Sequence, residues 1–543
     1  MGESRTEKLD AIVVGAGMAG LYMLYKLRGL GMNVKVIEAG SDVGGTWYWN
    51  RYPGCRCDVP SVEYSYSFSK ELEQEWDWTE LMAGQPEILR YMNHVADRFE
   101  LRPDIEFDTR VDSANYDEQT SSWAVTTDKG DRYVADFCIM ATGCLSMPNT
   151  PEFPGADSFA GEVYHTGFWP KKAVNFAGKR VAVIGAGSSA VQAIPVIAAD
   201  AAHLHAFQRS PVYTFPAKNH LLAPGYMERA KADYAKIRAD QRNSPVGVVY
   251  YTPNKPEPGK RWPSKNILDL TPEQRRQEIK EFGFKALSQY GDVHSDPKAN
   301  EVACDLYRET LKDLVHDPEI AEKLAPRNYP LGCKRPVIDT DYYETFNRDN
   351  VTLIDLREGG IEEITPNGLR TANGEFEFDV LVYATGFDAM TGALKRIDIR
   401  GRNNRALAEK WEHGPRSYLG LQSRGFPNLF TITGPGSPSV LSNVLVSIEQ
   451  HVDWISDCIV HMHESELRSI EPQLDAEDAW IDHVNDVAKG TMFTAPSCNS
   501  WYLGSNIPGK IRIFMPYIGG VHTYRKKCEE IVADGYRGFE FAS

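Results

Sequence analysis

Two glycine-rich turns are the stretches of this chain whose residue types and spacing point most directly to chemistry. The first, GAGMAG, places Gly15, Gly17 and Gly20 between an apolar run at residues 11–14 and a helix predicted over residues 18–30. The first glycine of such a strand–turn–helix unit permits the tight turn, and the second lets a pyrophosphate approach the backbone. The third lets helix and strand pack closely, while the helix N-terminus faces the anion. This turn therefore predicts a dinucleotide site.

A second turn of the same kind, GAGSSA, follows an apolar strand predicted at residues 181–184. Its glycines are Gly185 and Gly187, and an alanine stands at the third position, which the motif tolerates. Ser188 and Ser189 open the helix that follows. Two phosphate-binding turns on one chain imply two dinucleotide sites.

The two units differ where their second strands end. The first ends in Glu38, whose carboxylate can accept hydrogen bonds from ribose hydroxyls. The second ends in Gln208, Arg209 and Ser210. A carboxylate would repel a 2′-phosphate, whereas guanidinium and hydroxyl groups bind one. The second site is therefore predicted to prefer NADPH over NADH.

Each half of the chain also closes with the same construction. Tight turns at residues 128–130 and 373–374 predict hairpins, and each hairpin leads into a strand that ends in Ala-Thr-Gly. The first such triplet covers residues 141–143, and the second is Ala384, Thr385 and Gly386, which we expect to lie at a cofactor.

The predicted fold is α/β, with two Rossmann-like, doubly wound dinucleotide-binding domains and a helical insertion. The charged stretch at 221–330 carries helix signals, including an N-cap, an N1 proline and a capping-box glutamine at Thr271–Gln274. We expect this insertion to sit on the second nucleotide domain. The predicted segments are a first nucleotide domain at 1–140 and 381–543, a second at 150–220 and 331–380, and the insertion at 221–330.

Composition restricts the function classes. The 543 residues exceed one typical core, and a net charge of −16 disfavours nucleic acid or an anionic membrane as partner. There is no apolar run of membrane-spanning length, and the nine cysteines form no metal-ligand or staple pattern. We expect a cytoplasmic protein with free thiols and no metal, and nothing in the sequence requires an oligomer.

The segment Gly44-Gly45-Thr46-Trp47 separates classes of two-dinucleotide flavoprotein. Disulfide reductases place a redox cysteine just after the glycines, with its partner about five residues on. Here Trp47 occupies that position, and Cys55 and Cys57 are only two apart. A dithiol mechanism is therefore poorly supported.

At this point the sequence resembles the type I Baeyer–Villiger monooxygenases, which include cyclohexanone, phenylacetone and steroid monooxygenases. Their fingerprint F-x-G-x-x-x-H-x-x-x-W-P is met by Phe159, Gly161, His165, Trp169 and Pro170. A second signature is met by Gly45, Trp47, Tyr52, Pro53, Gly54 and Asp58. The resemblance extends from Ala11 to the C-terminus.

The resemblance implies that the first domain binds FAD and the second NADPH. NADPH reduces the flavin, O₂ adds at its C4a atom, and the resulting peroxide attacks a ketone carbonyl to give an ester or lactone. The implied substrate is a cyclic, aryl or steroid-like ketone. The cofactors carry the difficult chemistry, and the protein supplies position and charge.

The resemblance also assigns residues. The active-site arginine matches Arg335, with Asp58 as the carboxylate that orients it, and Lys334 joins Arg209 and Ser210 on the 2′-phosphate. Arginine suits that task because it stays charged and offers several donors. His165 is expected at a hinge rather than as a catalytic base. The expected pocket residues are Ser437, Pro438, Leu441 and Trp501, the last also near the NADP ribose.

Two alternatives stay open beside a ketone oxygenase. A flavin monooxygenase that oxidises nitrogen or sulfur shares both glycine turns but lacks the Trp-Pro ending of the fingerprint. A non-catalytic flavin redox sensor needs neither the fingerprint nor the pairing of Asp58 with Arg335.

Overall fold

The computed structural model describes residues 6–251, 265–357 and 359–543. Its strands are β1 (Thr6–Val14), β2 (Val34–Ile37), β3 (Ile105–Glu106), β4 (Val111–Asp117), β5 (Ser122–Thr127), β6 (Arg132–Met140), β7 (Glu162–His165), β8 (Arg180–Ile184), β9 (His203–Gln208), β10 (Thr214–Pro216), β11 (Val337–Asp339), β12 (Val351–Asp355), β13 (Ile361–Thr365), β14 (Gly368–Thr371), β15 (Gly374–Glu377), β16 (Val380–Tyr383), β17 (Asp398–Arg400), β18 (Leu429–Thr431), β19 (Ser469–Pro472) and β20 (Phe539–Ala542). Its α-helices are α1 (Met18–Gly29), α2 (Thr46–Trp49), α3 (Lys70–Glu75), α4 (Gln85–Arg98), α5 (Ser188–Asp200), α6 (Tyr226–Asn243), α7 (Pro272–Phe282), α8 (Pro297–Leu314), α9 (Pro318–Leu324), α10 (Tyr342–Thr345), α11 (Gly392–Arg396), α12 (Leu407–Lys410), α13 (Val444–Glu464), α14 (Leu474–Ala488) and α15 (Val521–Ala533).

The first sheet has eight strands in the order β17-β4-β5-β6-β1-β2-β3, with β18 paired to β6. The strands β3, β2, β1, β6 and β18 pair in parallel, while β4 and β5 add an antiparallel hairpin. Residues 11–14 of β1 are fully or nearly fully buried, as an apolar strand covered on both faces should be. Helices α1 and α13 pack against each other beside this sheet.

The second sheet is wholly parallel, in the order β12-β9-β8-β16-β7. The chain contributes to it only between residues 162 and 383, so the first sheet is assembled from both sides of this segment. The two Rossmann-like sheets confirm the predicted fold class.

The local elements follow the sequence patterns closely. Helix α1 begins at the predicted Met18 and ends one residue before Leu30, while β8 starts one residue earlier than its apolar run. Hairpins β5–β6 and β14–β15 form at the two predicted tight turns. Thr271 caps α7 with the capping box that its sequence predicts.

The helical stretch at 221–330 divides between the two cores, which corrects part of its expected placement. Residues 252–264 of it lie outside the described residues. Helices α7 and α8 pack on the second nucleotide domain, but α6 packs its apolar face into the core of the first. Buried Arg238 of α6 fixes this docking, because it donates to Glu73 at 2.7 Å and to the Ser65 hydroxyl at 2.7 Å.

Among the helices that the structure describes, none combines the length and apolar character needed to span a bilayer. Across the described ranges, no group of three or more His, Cys, Asp or Glu side chains is arranged to hold a metal ion.

Candidate active site between the two nucleotide-binding sheets

The Ala-Thr-Gly triplet at residues 141–143, which follows a strand of the same sheet, packs directly against the first glycine turn. Gly15 has a φ of +106°, and a Cβ there would lie 2.7 Å from the carbonyl oxygen of Ala141. A Cβ on Gly20 would lie 1.8 Å from the oxygen of Gly15. No larger residue fits either position, so the glycines are required by this packing of strand, helix and triplet.

The N-terminus of α1 is open for an anion. Its N-cap, Gly17, provides no side-chain cap, and its first turn contains no acidic residue. Gly45 faces this end with a φ of +51°, and a Cβ on it would lie 2.9 Å from the Cα of Gly17. Thr46 is exposed beside the turn, whereas Trp47 is buried and donates to the Tyr64 hydroxyl. The uncapped backbone N–H groups at this helix end suit a pyrophosphate.

Glu38 stands at the end of β2, as expected, but its carboxylate also accepts hydrogen bonds from backbone N–H groups of the protein. One carboxylate oxygen accepts from the Ala16 N–H at 2.6 Å and the other from the Gly40 N–H at 2.6 Å. Burial raises the pKa of this carboxyl, against the lowering effect of the two N–H donors. Each oxygen retains acceptor capacity for a ribose hydroxyl.

The second glycine turn repeats the first. A Cβ on Gly185 would lie 2.3 Å from the Ala384 oxygen, so the second triplet closes this turn as Ala141 closes the other. Gly187 leaves α5 without a side-chain cap and faces open space. Ser188 is exposed, and Ser189 accepts from the Thr166 hydroxyl. The turn can therefore receive a second pyrophosphate.

Two cations without acidic partners lie beside this second turn. Arg209 and Ser210 are exposed at the end of β9. The ammonium of Lys334 lies 4.1 Å from the centre of the Tyr329 ring. Burial, and then the nearby charge of Arg209, lower the pKa of Lys334 to about 8. Within the described residues no carboxylate pairs with either cation, which suits a phosphate dianion arriving between them.

Arg335 and Asp58 meet across the two domains although 277 residues separate them. Nε of Arg335 donates to Asp58 Oδ2 at 2.9 Å, and its Nη2 lies 2.8 Å from the same oxygen. Nη1 donates to the carbonyl oxygen of Val440 at 2.8 Å. The Asp58 charge raises the pKa of Arg335 above its already high value. Arg335 is therefore a fixed cation at the junction of the two domains, and its guanidinium keeps further N–H groups that can donate to a ligand.

The Tyr52–Asp58 signature joins the two domains at three points. Besides the Asp58 carboxylate, the Tyr52 hydroxyl donates to Gln192 of α5 at 2.8 Å. Gly54 has a φ of +80°, and a Cβ on it would lie 2.2 Å from the backbone oxygen of Gln192. The signature therefore fixes the distance between its own loop in the first domain and α5 in the second.

An apolar cluster borders the Arg335 guanidinium through Val440, whose carbonyl receives that guanidinium. It was not predicted from the sequence, because its members come from five separate segments. Its members are Ala389, Met390 and Met515, with partly buried Cys144, Leu145, Val440, Trp501 and Ile513 packed against them. The partly buried members are mostly apolar and Met390 and Met515 lie buried beneath them, so this wall suits a hydrophobic substrate.

Of the predicted pocket residues, only Trp501 belongs to this cluster. Leu441 is half-buried and packs on the second core, next to Val440. Ser437 is fully buried and donates its hydroxyl to the Gly434 oxygen at 2.7 Å, and Pro438 is also buried. Ser437 and Pro438 therefore support the fold of their loop and do not line an open surface.

The fingerprint residues hold the connection between the domains. Nδ1 of His165 accepts from the Gly167 N–H at 2.9 Å, and Nε2 lies 3.3 Å from both the Asn149 oxygen and the Thr385 hydroxyl. Burial lowers the pKa of His165, so the ring is neutral near pH 7. Gly386 also binds this connection, by accepting from the Asn149 N–H.

The remaining fingerprint residues pack rather than react. Buried Trp169 donates its backbone N–H to the Trp49 oxygen at 3.3 Å, while Pro170 next to it is half-buried. Phe159 packs on the core below β16, and Gly161 lies where a Cβ would be 2.5 Å from the Asp379 oxygen. The fingerprint thus fixes the path of the interdomain connection.

Cys333 and Cys498 form a disulfide, which corrects the expectation that all nine cysteines are free. The two residues are 165 positions apart, with Cα atoms 5.9 Å apart. Short-range spacing gives no sign of such a pair, because only the fold brings the two segments together. The bond attaches the segment before Trp501 to the residue that precedes Lys334 and Arg335.

Two Rossmann-like sheets, each with an uncapped glycine turn, define an oxidoreductase built for two dinucleotides. Residues 12–243 match the family model for pyridine nucleotide-disulphide oxidoreductases. An acetone monooxygenase (methyl acetate-forming) from Gordonia sp. (strain TY-5) is 40% identical over 541 residues, covering 98% of this chain and 99% of the relative. A phenazine N-monooxygenase from Lysobacter antibioticus is 40% identical over 538 residues, covering 98% and 96%.

The solved structure of an oxidized steroid monooxygenase bound to NADP superposes with a TM-score of 0.90. It is 46% identical and covers 98% of this chain and 99% of that one. With relatives of this similarity over its full length, the chain belongs to the Baeyer–Villiger monooxygenase family.

The disulfide makes a direct prediction about thiol content. Protein purified without reductant and then denatured should titrate with a thiol reagent as seven thiols of nine cysteines, rising to nine after reduction. The Cys498→Ser variant should give eight thiols both before and after reduction, because Cys333 then has no partner. Nine thiols in the unreduced wild-type protein would show that the bond is absent.

Proposed function

We propose that this chain is an FAD- and NADPH-dependent monooxygenase that inserts one oxygen atom of O₂ next to a ketone carbonyl, giving an ester or lactone. The observation that supports it most is the Arg335–Asp58 ion pair, which joins the two nucleotide domains and is held beside an apolar wall through Val440. A redox sensor or a disulfide reductase has no use for a held cation at this place. The dithiol alternative is weakened further because Cys55 and Cys57 are buried and unpaired.

The residues fit the two cofactors. The Gly17–Gly45 contact and Glu38 would hold the FAD pyrophosphate and ribose, and the uncapped end of α5 would hold the NADPH pyrophosphate. Arg209, Ser210 and Lys334 would hold the 2′-phosphate. When bound, NADPH supplies the reducing equivalents and FAD activates O₂.

The chain itself contributes a permanent charge. Arg335 remains protonated at every relevant pH, since Asp58 favours its charged form. Oxygen transfer to a carbonyl carbon leaves negative charge on the carbonyl oxygen, and a held guanidinium stabilises that charge without reorganising. Asp58 and the Val440 carbonyl orient the guanidinium, and the buried, neutral His165 takes no proton in this scheme.

The wall beside Arg335 supports a proposal for the substrate class. The partly buried members of this cluster, Leu145, Val440, Trp501 and Ile513, offer apolar side chains over a buried layer that includes Met390 and Met515. We therefore propose a cyclic, aryl or steroid-like ketone, a range that includes the substrate in the name of the steroid monooxygenase relative. The phenazine relative keeps nitrogen oxidation as a second candidate, because its name assigns an N-oxygenation to a chain 40% identical to this one.

A labelled-oxygen panel tests this proposal. Purified protein with NADPH and ¹⁸O₂ should convert at least one of acetone, cyclohexanone, phenylacetone and progesterone to an ester or lactone carrying one ¹⁸O, as measured by mass spectrometry. The control, unlabelled O₂ in H₂¹⁸O, should leave the product unlabelled.

NADPH oxidation that gives only hydrogen peroxide with every ketone would contradict the proposal. Phenazine N-oxide formation without any ester would assign the chain to the second candidate instead.

Lys334 predicts a pH dependence that distinguishes the two nicotinamide cofactors. Its pKa of about 8 in the free protein means that it loses its charge as the pH rises through 8. The KM for NADPH should therefore rise from pH 7 to pH 9 by up to about tenfold, since each pH unit above the pKa removes tenfold of the charged form. The KM for NADH, which lacks the 2′-phosphate, should change much less.

The matched variant is Lys334→Arg, which keeps its charge over this range and should flatten the NADPH profile. An NADPH profile that is flat in the wild type, or equally steep in Lys334→Arg, would remove Lys334 from the phosphate site.

A further inference from the structure

A cleft of about 950 Å³ lies on the first nucleotide domain, lined by residues of α6, α13 and α15. Its geometry is held at one end, because the N–H of Val521, the first residue of α15, donates to the oxygen of Pro245, just beyond α6, at 2.8 Å. The residues that line it include none from either glycine turn and none from the Arg335 site. The cleft therefore has no part in the function proposed above.

Two arginines that line this cleft have no carboxylate partner. Arg242 is exposed in the last turn of α6, and Arg525 is half-buried in α15. In the parts of the chain that the structure describes, neither guanidinium forms an ion pair, and the buried Nε of Arg525 has no hydrogen-bond acceptor. Burial, and then the charge of Arg242, lower the pKa of Arg525. A ligand oxygen would satisfy that donor and offset the repulsion between the two cations.

The third arginine of the cleft is not available to a ligand. The guanidinium of Arg238 donates through Nε to Glu73, through Nη1 to Gln241 and through Nη2 to Ser65. These contacts fix α6 on the first core, as described above. The free donors of the cleft are therefore those of the two unpaired arginines.

The acidic side chains of the cleft are already engaged, with one exception. Glu449 accepts from the N–H and the hydroxyl of Ser67, both at 2.6 Å. Asp453 lies 3.0 Å from the ammonium of Lys26. Glu529 is exposed one turn beyond the arginine of α15, and within the described residues it forms no ion pair. Its charge opposes an incoming anion, but the two arginines outweigh it.

We propose that this cleft binds the phosphate group of a small molecule between the guanidiniums of Arg242 and Arg525. A phosphate dianion carries two charges and tetrahedrally arranged oxygens, so arginines on two different helices can each donate to a separate oxygen. A carboxylate carries one charge and two coplanar oxygens, which match one guanidinium better than two. The volume of the cleft lies within the range of small-molecule sites, which leaves room for the organic part of a phosphate monoester.

Calorimetric titration with inorganic phosphate tests the proposal. The protein is first saturated with FAD and NADP⁺, so that the glycine turns and the site at Arg209 and Lys334 are filled. The wild type should then bind one phosphate per chain. Arg242→Gln and Arg525→Gln should each bind it at least about tenfold more weakly, because each loses a charge-assisted hydrogen bond. Arg242 is exposed, so its variant carries the test if the Arg525 variant does not fold.

Three further arms separate a built site from diffuse attraction. Lys526→Gln removes an exposed charge of the same cleft, whose ammonium is 3.9 Å from Glu530, and should stay within about twofold of the wild-type affinity. Glu529→Gln removes the unengaged acid and should tighten binding. Acetate, titrated in the same way, should bind the wild type more weakly than phosphate does.

Three results would overturn the inference: no saturable phosphate binding by the wild type, the same affinity in the wild type and both arginine variants, or an equal loss in Lys526→Gln. Acetate that binds more tightly than phosphate would also overturn it, since the cleft would then select a carboxylate.

Discussion

The ion pair between Asp58 and Arg335 is the interaction on which the rest of this structure depends. It joins a loop of the first nucleotide domain to a loop of the second, and both side chains remain partly exposed, at 30% and 35%. At that exposure the pair adds little stability by itself. Its value is positional, because it fixes a permanent cation between the two domains and beside the apolar wall.

The surrounding architecture keeps that meeting point in place. Each glycine turn is closed by an Ala-Thr-Gly triplet from its own sheet, so the two sites are built by the same packing rule. Tyr52 and Gly54 set the spacing between the domains through Gln192. The disulfide then connects the Arg335 loop to the segment that carries Trp501.

Sequence patterns predicted what depends on local chemistry. The glycine turns, α1, β8 and both hairpins were found within about one residue, because apolar periodicity and turn residues act over a few positions. Features that join distant segments were missed, except for the Asp58–Arg335 pair, which the family resemblance supplied. The Cys333–Cys498 bond spans 165 residues, and the docking of α6 on the first core depends on Arg238 meeting Glu73. Glu38 was placed correctly, but its bonds to the Ala16 and Gly40 N–H groups appear only in the folded turn.

The most direct test of the central claim is to separate flavin reduction from oxygen transfer in Arg335→Ala. NADPH should still reduce the flavin at close to the wild-type rate, while ester formation should fall by about 100-fold or more, as when an oxyanion donor is removed. The control is Arg327→Ala, which removes an exposed arginine paired with Glu322. Arg327 lies, like Arg335, in the segment between α9 and β11, and its loss should leave both rates unchanged. Ester formation at the wild-type rate by Arg335→Ala would contradict the account.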